Sequence, residues 1–243
     1  MELKKESFEL WDKIFKSEFI EEPGCYKTCE SFCCRWNTPD IPLTIIPKGG
    51  TLFYLPNELE YMKEYGKLTD KPLYDISVKL SNGKEIKVYY KYCTDDKNCN
   101  ILFSRSLYCK LYPFFPVMNI HGEIIDVKYI SIYDITCDII GQSTPCYVKG
   151  KKEYYLDLWK NNSKNIELLK TPEIIFYLMV ANIVHDNYYE TLKYSSISNL
   201  KGVVFWKKWE KFYLGKMLFN KNKLVSDLDD LYNEFCKHYY DIL

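Results

Sequence analysis

The chain has 243 residues, enough for one large folded unit or two small ones. Hydrophobic residues make up 47% and charged residues 27%, which excludes a mainly disordered chain. The 33 basic residues equal the 33 acidic ones, so the net charge offers no bulk attraction for a polyanion. In chain order, residues 3–20 place Phe8, Trp11, Ile14, Phe15 and Phe19 at helical spacing, and Pro23-Gly24 ends that pattern. An extended stretch follows Thr38-Pro39-Asp40, with Gly49-Gly50 resembling a hairpin turn. Pro56-Asn57-Glu58 opens a short helix that Gly66 stops. Two alternating runs flank Ser81-Asn82-Gly83, and Asn-Gly predicts a type I′ hairpin turn. Pro113 and Pro116 predict an irregular extended segment, and residues 126–135 read as strand-like. After residue 150 helical signals dominate. Thr171-Pro172-Glu173 reads as an N-cap with proline at N1, residues 203–219 as a helix, and Ser226-Asp227-Leu228-Asp229 as the capping box of the last helix. The expected class is α+β. A cysteine-rich, metal-stapled N-terminal part (1–150), with short strands and a β-hairpin, packs against a helical part (151–243) as one unit.

Ten cysteines are about twice the usual share, against three histidines. They admit disulfides, scattered core thiols or thiolate ligation of a soft metal. The opening residues are charged and amphipathic, without the apolar stretch of a secretory signal, and no run of about 18 apolar residues occurs. The expectation is a cytoplasmic protein with no membrane partner, where disulfides are disfavoured. Spacing favours ligation. Cys25, Cys29, Cys33 and Cys34 fall within ten residues; Cys93, Cys99 and Cys109 form a second group, and Cys137 follows. If residues 25–34 are helical, Cys25, Cys29 and Cys33 share one face, about 5–6 Å apart. The same spacing fits a zinc knuckle in an irregular loop. It departs from the radical-SAM triplet C-x3-C-x2-C. Cys146 is unassigned, and Cys236 reads as a core thiol.

Cys25-Tyr-Lys-Thr-Cys29-Glu-Ser-Phe-Cys33-Cys34 resembles the opening of the YkgJ-type cysteine-cluster family, described as a zinc- or iron-chelating domain. The family's next segment resembles Cys93 followed by Cys99-Asn-Ile101-Leu-Phe-Ser-Arg105-Ser-Leu-Tyr-Cys109-Lys-Leu-Tyr112-Pro113. Its last resembles Cys137-Asp-Ile-Ile140-Gly141-Gln142. Thr94, Leu102, Ser106, Lys110 and Asp138 depart from the family pattern. The resemblance covers about residues 20–145 and implies a ligand set of Cys25, Cys29, Cys33, Cys34, Cys93, Cys99, Cys109 and Cys137. It implies an iron–sulfur cluster, with [4Fe–4S] favoured and zinc the alternative, in a redox or group-transfer role. Flagellin lysine methylases have similar cysteine clusters, which implies a SAM-dependent protein-lysine methyltransferase as a second reading, with S-adenosylmethionine as cofactor and a protein substrate. No glycine-rich nucleotide loop accompanies it, so the residues alone assign no enzymatic reaction.

The chain's two arginines, Arg35 and Arg105, both lie in these segments among 31 lysines, and a guanidinium can hydrogen-bond cluster sulfurs as lysine cannot. Residues 201–223 hold seven lysines and one acid, with Trp206, Trp209, Phe212 and Tyr213 between them. Lys207, Lys208 and Lys211 are candidates for a protein or RNA partner, the aromatics stacking on bases. The plainer reading is a solvated helix face, neutralised in cis by Asp227, Asp229, Asp230 and Glu234. Nucleic acid is not the expected partner.

Overall fold

Apolar–polar alternation and a glycine-containing turn build the first sheet. The computed structural model describes residues 8–19, 41, 43–46, 51–65, 73–92, 105–144, 146, 148–162 and 165–239. Strand β1 (Thr51–Tyr54), β2 (Tyr74–Lys79) and β3 (Glu85–Tyr92) form an antiparallel sheet in the order β1-β3-β2. The hairpin turn is not the type I′ expected, which needs positive φ at both central residues. Only Gly83 has it, at 83°. Gly83 N donates to Leu80 O at 3.0 Å and Leu80 N to Lys84 O at 2.8 Å, making a three-residue loop closed by a left-handed glycine.

Helix α1 (Phe8–Lys16) buries Trp11, Ile14 and Phe15, and α2 (Pro56–Glu64) buries Leu59, Tyr61 and Met62. A short helix α3 (Leu107–Leu111) leads into β4 (Phe114–Met118) and β5 (Ile124–Tyr129), a separate antiparallel ribbon. The segment expected to be irregular is therefore a strand. Pro116 sits opposite Val127, tolerated because a two-stranded ribbon consists only of edges.

The strand-like reading of residues 126–135 holds only to Tyr129. Helix α4 (Ile132–Ile139) follows, because the Ser131 hydroxyl accepts the Asp134 N–H at 3.3 Å as an N-cap. Gly141 ends it at φ 69°: Gln142 N bonds Cys137 O at 2.8 Å and Gly141 N bonds Asp138 O at 3.0 Å, a Schellman closure.

Then come α5 (Lys152–Asp157), a π-helical turn (Leu158–Asn162), a 3-10 turn (Ile166–Leu169), α6 (Pro172–Lys193), α7 (Gly202–Leu214) and α8 (Lys221–His238). Helix α6 starts where Thr171-Pro172 predicts, although the Thr171 hydroxyl makes no cap bond. Helix α8 starts earlier than expected, at Asn220, whose side chain accepts from Lys223 N at 3.1 Å. Ser226 lies inside the helix, and Asp229 reaches Ser81 N at the hairpin tip, 3.0 Å away.

The fold is mixed α and β, with small antiparallel sheets and a helical C-terminal part. Two apolar cores organise it. The first joins Trp11, Tyr54 and Phe114 to Ile174, Phe176 and Phe235, so residues from before and after position 150 share it. The second gathers Ile41, Leu43, Tyr133, Cys137, Tyr188, Phe205, Trp206 and Trp209. Helix α6 contributes to both.

Candidate thiol site

Cys109 lies on α3, and the sequence builds that turn from its start. Ser106 is the N-cap, its hydroxyl accepting from Cys109 N at 3.4 Å. Leu107 and Leu111 are buried, and Tyr108 donates to Tyr177 O at 2.7 Å. Cys109 is thereby presented half-exposed at the margin of the fold. Arg105 lies along it. Its Nη2 donates to Cys109 O at 2.8 Å and its Nε to Cys109 Sγ at 3.5 Å. The guanidinium therefore braces both the carbonyl and the sulfur of Cys109.

Three buried ionisable side chains, none of them a sequence-predicted site residue, knit the starts of α2 and α3 to the end of α1. Glu58 accepts Leu55 N at 3.0 Å and Leu107 N at 2.6 Å, so one carboxyl ties the starts of α2 and α3 together. Burial pushes its pKa up to about 8 against the pull of those two N–H donors, with Glu173 adding to the rise. Glu173 accepts from Asn57 N and Nδ2 at 3.2 and 2.8 Å. Both acids sit in the first turn of a proline-started helix, where free N–H groups favour a carboxyl. Each start is legible in sequence; their meeting is not. Lys110 is buried and donates to Phe15 O and Ser17 O, each at 3.0 Å, capping the end of α1. Burial lowers its pKa to about 8.

Cys137 has different surroundings. It is 0% exposed in the second core, and burial, reinforced by Asp134, pushes its thiol up to about 12. Around it, Thr136 Oγ1, Tyr188 OH and Trp209 Nε1 form a buried chain of hydrogen bonds. Cys146 accepts from Tyr129 OH at 3.0 Å, and Cys236 packs at the edge of the first core. The second core also contains a carboxylate that sequence reasoning passed over. Glu210 accepts Thr44 N, Ile45 N and Ile46 N at 2.6–3.1 Å and the Thr44 hydroxyl at 3.0 Å. Burial would raise its pKa, but these donors prevail and hold the carboxyl below its ordinary value.

Cys25, Cys29, Cys33, Cys34, Arg35, Cys93 and Cys99, with the turn glycines Gly49, Gly50 and Gly66, lie outside the described residues. Among the described residues no three metal-ligating side chains converge. The donor chemistry fits a thiolate centre at Cys109, which is accessible and carries a cationic N–H on its sulfur. It fits poorly at Cys137, which has no exposed surface and has Asp134 raising its thiol further. Trp206 and Trp209 are fully buried, which removes these two as platforms for bases, while Phe212 and Tyr213 are half-buried against the second core. Of the acids expected to neutralise the lysines, Asp227 pairs with Lys223, one of the seven, at 2.6 Å, whereas Asp229 accepts from Ser81 instead. No helix among the described residues is long and apolar enough to cross a membrane. No family model, no curated protein and no solved structure matches this chain.

Proposed function

We propose that the chain is a thiolate metalloprotein of the cysteine-cluster type, holding an iron–sulfur cluster, [4Fe–4S] in preference to zinc, with a redox role. The observation that carries this reading is Arg105, one of two arginines among 33 basic residues, laid along Cys109 with an N–H on the sulfur. The spacing of the other cysteines supports it. One centre takes four thiolates, fewer than the eight candidates. Cys109 belongs to the four, and three of Cys25, Cys29, Cys33, Cys34, Cys93 and Cys99 supply the rest. Cys137, sealed in the second core, stands outside them. A bound cluster would supply one-electron chemistry. The chain's own contribution is positional: Glu58 and Ser106 fix the backbone of α3, and Arg105 fixes the sulfur and stabilises negative charge on it.

The test is anaerobic purification followed by metal analysis and a visible spectrum. Brown protein with stoichiometric iron and acid-labile sulfide is expected. Colourless protein with stoichiometric zinc would keep the thiolate reading and remove the redox role. Protein with neither metal would overturn both.

A further inference from the structure

Helix α7 divides cleanly between two sides. Phe205, Trp206, Trp209 and Glu210 are buried, whereas Val203, Val204, Lys207, Lys208, Lys211 and Leu214 are exposed. At about 100° per residue these six span about 140° of the helix, one continuous face. Its aliphatic residues are open to solvent: Val203 is 50% exposed, Val204 58%, Leu214 45%, and Met217 just beyond the helix 55%. The one acid of the stretch, Glu210, borders this face but is buried, its carboxylate taken up by the backbone of residues 44–46. Among the described residues no ion pair engages Lys207, Lys208 or Lys211, while Lys223 takes Asp227 and Glu190.

The face is cationic, acid-free and partly aliphatic, so its partner is anionic with an apolar component. RNA binding would call on exposed aromatics, but both tryptophans are buried and Phe212 and Tyr213 are half-buried against the second core. An extended peptide would need a groove or a free strand edge, and a convex helix face offers neither. We propose that the outer face of α7 docks on an anionic phospholipid bilayer. Lys207, Lys208 and Lys211 meet the headgroups, and Val203, Val204, Leu214 and Met217 enter the headgroup–acyl boundary. This is attachment to a surface and needs no spanning helix.

Co-sedimentation of the full chain with vesicles tests it, using phosphatidylcholine alone or with about one third phosphatidylserine. Binding is expected only with phosphatidylserine and weakens as salt rises. Changing all three lysines to glutamine lowers partitioning about a hundredfold, at about fivefold per lysine. Val204→Ser with Leu214→Ser weakens binding while keeping the charge. All these side chains are exposed, so an unchanged circular dichroism spectrum certifies the fold. Absence of phosphatidylserine-dependent binding, or binding untouched by the triple substitution, overturns the proposal. Retention of single-stranded RNA through the same lysines without vesicle binding overturns it in favour of nucleic acid.

Discussion

The two cores treat the same residue types in opposite ways. In the first, Glu58 meets two backbone donors with Glu173 nearby, and burial pushes its carboxyl up to about 8. In the second, Glu210 meets three consecutive backbone donors and a hydroxyl, and its carboxyl is held below the ordinary range. Of the thiols, Cys109 is half-exposed with a guanidinium N–H on its sulfur, whereas Cys137 is sealed and its thiol pushed up to about 12. Residue type does not fix chemical state; burial, weighed against the donors and charges that meet the group, does.

The largest effect separating the two regions is thiol reactivity. At neutral pH a thiol with a pKa of about 12 is ionised in about one molecule in 10⁵, and Cys137 is also enclosed. In metal-free native protein, iodoacetamide should label Cys109 at least about a thousandfold faster than Cys137, read by peptide mass mapping. Equal rates would erase the distinction.

The carboxyls give the next effect, with opposite signs. For Glu58 the folded value is above the ordinary 4.5, so the folded state keeps a proton that the unfolded chain releases. Its contribution is present below 4.5 and declines as pH rises to about 8, by up to about 1.4 kcal/mol per pH unit. Glu58→Gln should cost about 1–3 kcal/mol, because an amide offers one acceptor to two N–H donors, and should remove that slope. Glu210 is depressed, so its contribution is present above the ordinary carboxyl value and is lost as pH falls below it. Glu210→Gln should cost about 1.5–3 kcal/mol at neutral pH and less in acid. Urea midpoints measured across pH decide both, and a Glu58→Gln protein with the wild-type slope would remove the contrast.

The smallest effect is at Arg105. Arg105→Lys removes the N–H on the Cys109 sulfur while keeping the charge. It should lower the reduction potential of a bound cluster by about 40 mV, the equivalent of one hydrogen bond of about 1 kcal/mol. Protein-film voltammetry reads this, and an unchanged potential would leave Arg105 with only its bond to the Cys109 carbonyl.

Local signals explain what was legible in the sequence. Pro56 and Thr171-Pro172 mark real helix starts, Asn82-Gly83 marks a real hairpin, and the apolar spacing around Trp11 marks a real helix. Errors arose where two local codes competed. Residues 131–135 alternate like a strand, but Ser131 caps a helix. Ser226 resembles a cap, but Asn220 already serves as one six residues earlier. Long-range meetings were not legible. Nothing local to Pro56-Asn57-Glu58 says that its carboxyl will hold Leu107, or that Glu210 will hold residues 44–46. For the site, Arg105 and Cys109 lie four residues apart across the start of α3, close enough in sequence for the two to meet. The burial of Cys137 depends on tryptophans about seventy residues away, beyond the reach of spacing arguments.

The central claim is that Cys109 binds metal and Cys137 does not. Metal content of anaerobically purified wild type, Cys109→Ser and Cys137→Ser, measured side by side, tests it most directly. The account predicts that Cys109→Ser loses metal and stability together, while Cys137→Ser keeps its metal and loses only packing. Full metal in Cys109→Ser, or metal lost from Cys137→Ser while its circular dichroism stays native, would contradict it.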